Sequence, residues 1–110
     1  MNTETKQNAP RVTMADIDAN IVSEHYFTAT QAIVGGSRGP DWQAVPRELD
    51  LLTFCVLVLQ NGFTVTGESA CVSPENFDAE IGKKVARENA VNKMWPLMGY
   101  ALKSQLSINT

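Results

Sequence analysis

Apolar positions recur at helical spacing near the start of the chain: Met14, Ile17, Ile21 and Val22, with Tyr26 and Phe27 extending the same side. Steps of three and four residues mark one face of an α-helix. Thr13, followed three residues later by Asp16, forms a weak capping box in which hydroxyl and carboxylate satisfy free N–H groups of the first turn. The pattern predicts a helix from Met14 to about His25, after a polar, aperiodic, flexible lead over residues 1–12. Thr28 to Val34 has no decisive period. Gly35 to Asp50, which contains Gly35-Gly36-Ser37-Arg38-Gly39-Pro40 and then Trp42 and Pro46, reads as a long loop because glycine and proline punctuate it.

The strongest local pattern spans Leu51 to Val72, where two β-rich runs flank Asn61-Gly62. That dipeptide supplies the two positive-φ positions of a type I′ turn, so the segment predicts a two-residue β-hairpin. With Gln60 opposite Phe63, the register pairs Val58 with Val65, Val56 with Gly67, Phe54 with Ser69 and Leu52 with Cys71 on the side expected to be buried. The other side would pair Leu59 with Thr64, Leu57 with Thr66, Cys55 with Glu68 and Thr53 with Ala70. A lone hairpin is marginal in water, and its outer side would carry Leu57 and Leu59. Either another part of the chain or a second copy must cover them, and a homo-oligomer is the expectation.

Ser73-Pro74 has the form of a helix start, with serine as cap and proline at the first helical position. Phe77, Ile81, Val85, Ala86, Ala90 and Met94 then predict an amphipathic helix to about Met94. Pro96 is expected to break or kink it, with a last helix from Pro96 to about Leu106. The predicted class is α+β in the order α-β-β-α-α: a central antiparallel hairpin packed against an N-terminal helix and a kinked C-terminal helical segment. Residues 13–110 form one domain.

Bulk properties narrow the picture. At 110 residues, 44% hydrophobic and 19% charged, the chain fits one globular domain. Its longest apolar run, Leu51 to Leu59, is far shorter than the roughly 20 residues of a membrane-spanning helix. Met1 to Pro10 has no apolar segment of a secretory signal, so a cytoplasmic location is expected. Residues 1–78 carry 4 basic and 10 acidic side chains and residues 79–110 carry 5 and 2, so the C-terminal helical part is the basic one.

Little in this chain has the spacing that catalysis needs. His25 is the only histidine, without the nearby acids or cysteines of a zinc site or triad. Cys55 and Cys71 are separated by the whole hairpin and face opposite ways in the expected register, so neither a metal nor a disulfide is expected. Ser69, in Gly67-Glu68-Ser69-Ala70-Cys71, lacks the second glycine and the strand-to-helix turn of a nucleophile elbow. Gly35 to Gly39 lacks the lysine of a phosphate-binding loop. No cofactor is implied. Glu68, beside Thr66 and Thr64, is either a solvated strand carboxylate or part of a ligand site. Lys83, Lys84, Arg87 and Lys93, with Asn89, Asn92 and Trp95, form either an ordinary solvated helix face or a site that holds phosphate and stacks a base. Trp42 either anchors its loop or contributes to a partner surface.

Leu51 to Leu59, Asn61 to Cys71 (NGFTVTGESAC), Ser73 to Gly82 (SPENFDAEIG) and Ala86 to Tyr100 (ARENAVNKMWPLMGY) closely resemble a family of small tailed-phage proteins. The family is named after gene products forty-nine and sixty-six of two enterobacterial podophages. Arg11-Val12-Thr13 to Phe27 is similar too, whereas Gly35 to Asp50 departs from the family pattern. The resemblance implies a phage protein made in the bacterial cytoplasm that acts non-enzymatically on a host system, defence included, and it carries over no catalytic residue. One expected form is a homo-oligomer that sequesters a nucleotide-like signal. Lys84, Arg87, Asn89 and Lys93 would hold phosphate, Trp95 or Tyr100 would stack a base, and Glu68 and Thr66 would lie alongside. The alternative is a module that binds a host protein through Leu57, Leu59 and Trp42. Nucleic acid is a less favoured partner because the chain is acidic overall.

Overall fold

The computed structural model describes residues 9–36 and 44–108. Trp42, most of the glycine-rich stretch and the start of the expected lead lie outside the described residues. The chain is an α+β domain with a central antiparallel hairpin between an N-terminal helix and a long C-terminal helix. Helix α1 (Met14–Asn20) leads into strand β1 (Ile21–Thr28) and helix α2 (Ala29–Gly36). A 3₁₀ turn (Arg47–Leu51) then precedes β2 (Leu52–Leu59) and β3 (Thr64–Ala70). A second 3₁₀ turn (Pro74–Asn76) precedes helix α3 (Ala79–Ile108). The sheet order is β1-β2-β3, all antiparallel.

The first helix is correctly started and too long in the sequence reading. Thr13 and Asp16 form the reciprocal capping box, with the Thr13 N–H donating to Asp16 Oδ2 at 2.8 Å and the Asp16 N–H to Thr13 Oγ1 at 3.2 Å. The helix ends at Asn20, and residues 21–28 become a third strand. Two tendencies compete there. Ile17 and Ile21 suit a helical stripe, but Ile21, Val22, Tyr26, Phe27 and Thr28 are β-branched or aromatic and suit a pleated surface. A third strand also gives the marginal hairpin the partner it needs. Asn20 then ties helix to hairpin: its backbone oxygen and its Oδ1 each accept from the Gln60 N–H at 3.0 Å.

The hairpin is present, but its turn and register differ from the expectation. Among the described residues only Gly62 has positive φ (+88°), which rules out a type I′ turn at Asn61-Gly62. Instead Gly62 N–H donates to the Leu59 oxygen and Leu59 N–H to the Phe63 oxygen, both at 2.9 Å, enclosing a three-residue loop. Asn61 Oδ1 accepts from the Phe63 N–H at 2.9 Å, a side-chain turn that holds Asn61 out of the left-handed region. The extra loop residue moves the pairing by one. Val65 now lies opposite Leu57, Gly67 opposite Cys55 and Ser69 opposite Thr53.

Because side chains alternate, that slip turns β2 over. Thr53, Cys55, Leu57 and Leu59 face α3 and are buried, and Phe54, Val56 and Val58 face the other way. Leu57 (0% exposed) and Leu59 (3%) are therefore core residues, and the expected partner-binding role for them is corrected.

Helix α3 starts later than Ser73-Pro74 suggested. Asp78 caps it, its Oδ1 accepting from the Glu80 N–H at 2.9 Å and the Ile81 N–H at 3.3 Å. Its buried stripe is Gly82, Ala86, Ala90 and Met94, joined by Val91, while Ile81, expected inside, is 60% exposed. The reason is Gly67. A Cβ there would fall onto the Ala86 oxygen and the Ala90 nitrogen, so strand and helix meet backbone to backbone and only small residues fit. Pro96 does not end α3, which continues to Ile108. Asn92, whose carbonyl the proline ring leaves without its usual donor, is exposed together with Pro96 and can be solvated. Val12, at the end of the expected lead, packs against the core with Ile21, Tyr26 and Met98.

Replacing Gly67 with alanine is expected to cost about 3 kcal/mol in urea unfolding, because backbone atoms, not a flexible side chain, occupy the space. Gly62→Ala, strained only in φ, should cost about 1 kcal/mol. Equal effects would contradict the packing argument.

Candidate functional site

The polar side chains of α3 divide between two flanks of the helix, because α3 lies along β2 and β3 with a sheet edge on either side. On the β1 side, Arg87 grips Glu24 with two bonds, Nε to Oε1 and Nη2 to Oε2, each at 3.0 Å. Tyr26 adds a third, its hydroxyl donating to Glu24 Oε1 at 2.8 Å. Direct hydrogen bonding from Arg87 holds the Glu24 carboxyl below its ordinary pKa, and the same bond raises Arg87 further. Burial, then the bond to Glu24, pushes the Tyr26 phenol well above its usual range. Burial likewise raises the Cys55 thiol beneath it.

On the β3 side, Asn89 Nδ2 donates to the Glu68 backbone oxygen at 2.8 Å, and Lys93 Nζ lies 3.8 Å from Glu68 Oε1. Asn89 thus occupies a carbonyl that an edge strand would otherwise present to another chain. Lys83 pairs with Glu80 on its own helix at 3.5 Å. Lys84 is exposed, Trp95 is 37% exposed and Tyr100 78%. Lys84 and Trp95 are eleven residues apart, about 16 Å along the helix. Thr66 is on the opposite sheet face, across from Val56.

The expected phosphate-and-base set is therefore not brought together. Arg87 turns to one sheet edge, Asn89 and Lys93 to the other, and the aromatic rings lie further along the helix. Glu68 joins Asn89 and Lys93, but its backbone oxygen accepts from Asn89 and its carboxylate pairs with Lys93.

Two features escaped the sequence reading. The first is the sheet face opposite α3, where Phe54, Val56 and Val58 form a half-buried ridge beside Phe27. Phe27 and Phe54 stack at 5.6 Å between ring centroids. Ser23 and His25 border the ridge on one side, Thr64 and Thr66 on the other. The alternation along β2 was visible, but with apolar residues at both parities only the turn decides which set is buried. The second is a cleft of about 270 Å³ at the hairpin tip, between Phe63 and Leu97, Met98 and Ala101 of α3.

Among the described residues no group of three or more His, Cys, Asp or Glu could hold a metal ion, and both cysteines are free. No helix among them is long and apolar enough to cross a membrane.

Fold and surface together define a small sheet-and-helix domain whose polar helix residues serve its own packing and whose apolar surfaces are open. Residues 12–106 match the model of the phage protein (N4 Gp49/phage Sf6 gene 66) family, and the chain belongs to that family. No curated protein and no solved structure matches it.

The Glu24 cluster predicts an acid-dependent loss of stability. A carboxyl depressed in the folded state stabilises fully above its unfolded pKa, near 4.5. That contribution is lost as pH falls through the depressed folded value. Glu24 and Arg87 side chains are 35% and 32% exposed, so solvent screening keeps the effect at about 1 kcal/mol or less. Urea unfolding of wild type and Glu24→Gln should differ at pH 7 and converge towards pH 3, whereas a constant difference would contradict the pairing.

Proposed function

We propose that this phage protein acts non-enzymatically, in the cytoplasm of the infected bacterium, by docking onto a protein of a host system, defence included. The observation that supports this reading most is the sheet face opposite α3. An apolar ridge of Phe27, Phe54, Val56 and Val58 with a rim of Ser23, His25, Thr64 and Thr66 has the anatomy of a protein interface, apolar at the centre and polar at the border. Sequestration of a nucleotide-like signal by Lys84, Arg87, Asn89 and Lys93 ranks second. It requires Arg87 to leave Glu24 and Lys93 to leave Glu68, and its residues lie on separate flanks.

The two readings separate when tagged wild-type, Val56→Arg and Arg87→Ala chains are purified from the host bacterium and weighed by native mass spectrometry. Docking predicts a host protein bound to wild type and Arg87→Ala, and reduced at least tenfold on Val56→Arg. A small phosphorylated molecule retained by wild type and lost from Arg87→Ala would overturn docking and establish sequestration.

A further inference from the structure

Helix α3 is longer than the sheet it covers. Its 30 residues extend about 45 Å, against about 25 Å for strands of seven or eight residues. Met94 is its last fully buried residue, so residues 95–108, about 21 Å of helix, run beside the hairpin tip and then beyond it. α1 touches one flank of this overhang, where Asn20 Nδ2 meets Met98 Sδ at 3.5 Å. Leu102 and Leu106 are half-buried and most other positions are exposed, yet the composition is not that of a solvated helix. Residues 79–94 carry six charges, whereas residues 95–108 carry one, Lys103.

One face of the helix follows a coiled-coil seam of apolar and small residues. Ala90, Met94, Leu97, Ala101, Ser104 and Ile108 succeed one another at alternating steps of four and three, the spacing of core positions in a heptad. The sheet buries the first two. The last four are exposed, Leu97 at 40% and Ile108 at 79%.

We propose that this overhang is a homodimer interface, in which the α3 overhangs of two copies pack antiparallel about a two-fold axis. The choice of a second copy rests on the symmetry of the seam. Its steps of four, three and four read the same from either end, and its profile, large-small-small-large, does too. An antiparallel pair sets Leu97 against the partner's Ile108 and Ala101 against the partner's Ser104. The small central pair lets the helices approach closely while the large residues close the ends. Phe63, 54% exposed at the hairpin tip, stands beside Leu97 and Ala101 across the cleft that the incoming Ile108 would enter.

Area and charge agree. With 150–250 Å² per large side chain, Phe63, Leu97, Tyr100 and Ile108 expose on the order of 500 Å², more than half of the roughly 800 Å² per partner of a standard interface. A lone Lys103 gives neither mutual repulsion along the seam nor the basic face of a helix that lies on a membrane. This interface is separate from the sheet face proposed to dock a host protein.

Size-exclusion chromatography with light scattering on the full chain tests it. Wild type should elute at twice the 12.0 kDa of one chain. Ala101→Arg should weaken the dimer at least tenfold with an unchanged circular-dichroism spectrum, and Val56→Arg should remain dimeric. Ala101→Cys and Ser104→Cys chains, mixed and oxidised, should cross-link faster than either alone. Three results would each overturn the interface: a wild type that stays monomeric at its highest soluble concentration, a dimer indifferent to Ala101→Arg, or a dimer lost with Val56→Arg. The last would move self-association to the sheet face without deciding whether a host protein docks there.

Discussion

The fold depends on one close contact, the backbone of α3 at Ala86 and Ala90 lying on Gly67 of β3. A helix normally stands off a sheet by the depth of its side chains. Here one strand position has none, and Gly82, Ala86 and Ala90 keep the facing helix stripe small. Larger side chains fill the contact towards the hairpin tip, where Leu57, Leu59, Val65 and Met94 join Ile17 of α1. Burial of these groups drives folding, and the glycine fixes where on the sheet the helix sits.

That placement explains the charged residues of α3. A helix held low on the sheet brings Arg87 within reach of Glu24 on one edge strand, and Asn89 and Lys93 within reach of Glu68 on the other. Such partly exposed ion pairs contribute little individually. The paired forks of Arg87 and Glu24 nonetheless fix an orientation that a point charge would not. Arg87, Asn89 and Lys93, which suggest a phosphate site in a linear reading, act as straps in three dimensions. The packing leaves two apolar surfaces open, the ridge of β2 and the overhang of α3.

Much of the fold was legible in the sequence. Thr13 and Asp16 announced α1, the runs around Asn61-Gly62 announced the hairpin, and the stripe with Ala86, Ala90 and Met94 announced the helix upon it. The α+β class followed from these. The misreadings share a physical origin. Ile21 to Thr28 satisfies helix and strand patterns at once, and only the hairpin's need for a third strand decides between them. Asn-Gly is compatible with two-residue and three-residue loops, and that single residue sets which face of β2 is buried. The family was recognisable from motifs along β2, β3 and α3. A candidate site was not, because whether Arg87 meets a ligand or Glu24 depends on a strand that the pattern alone does not reveal.

The central claim, that α3 uses its polar residues to hold the sheet, is tested most directly by a double-mutant cycle on Glu24 and Arg87. Unfolding free energies of wild type, Glu24→Gln, Arg87→Ala and the double variant at pH 7 give the coupling of the pair alone. The account predicts a favourable coupling of about 0.5–1 kcal/mol. A coupling of zero would mean that Arg87 is not committed to Glu24, and would return it to the candidates for binding a ligand.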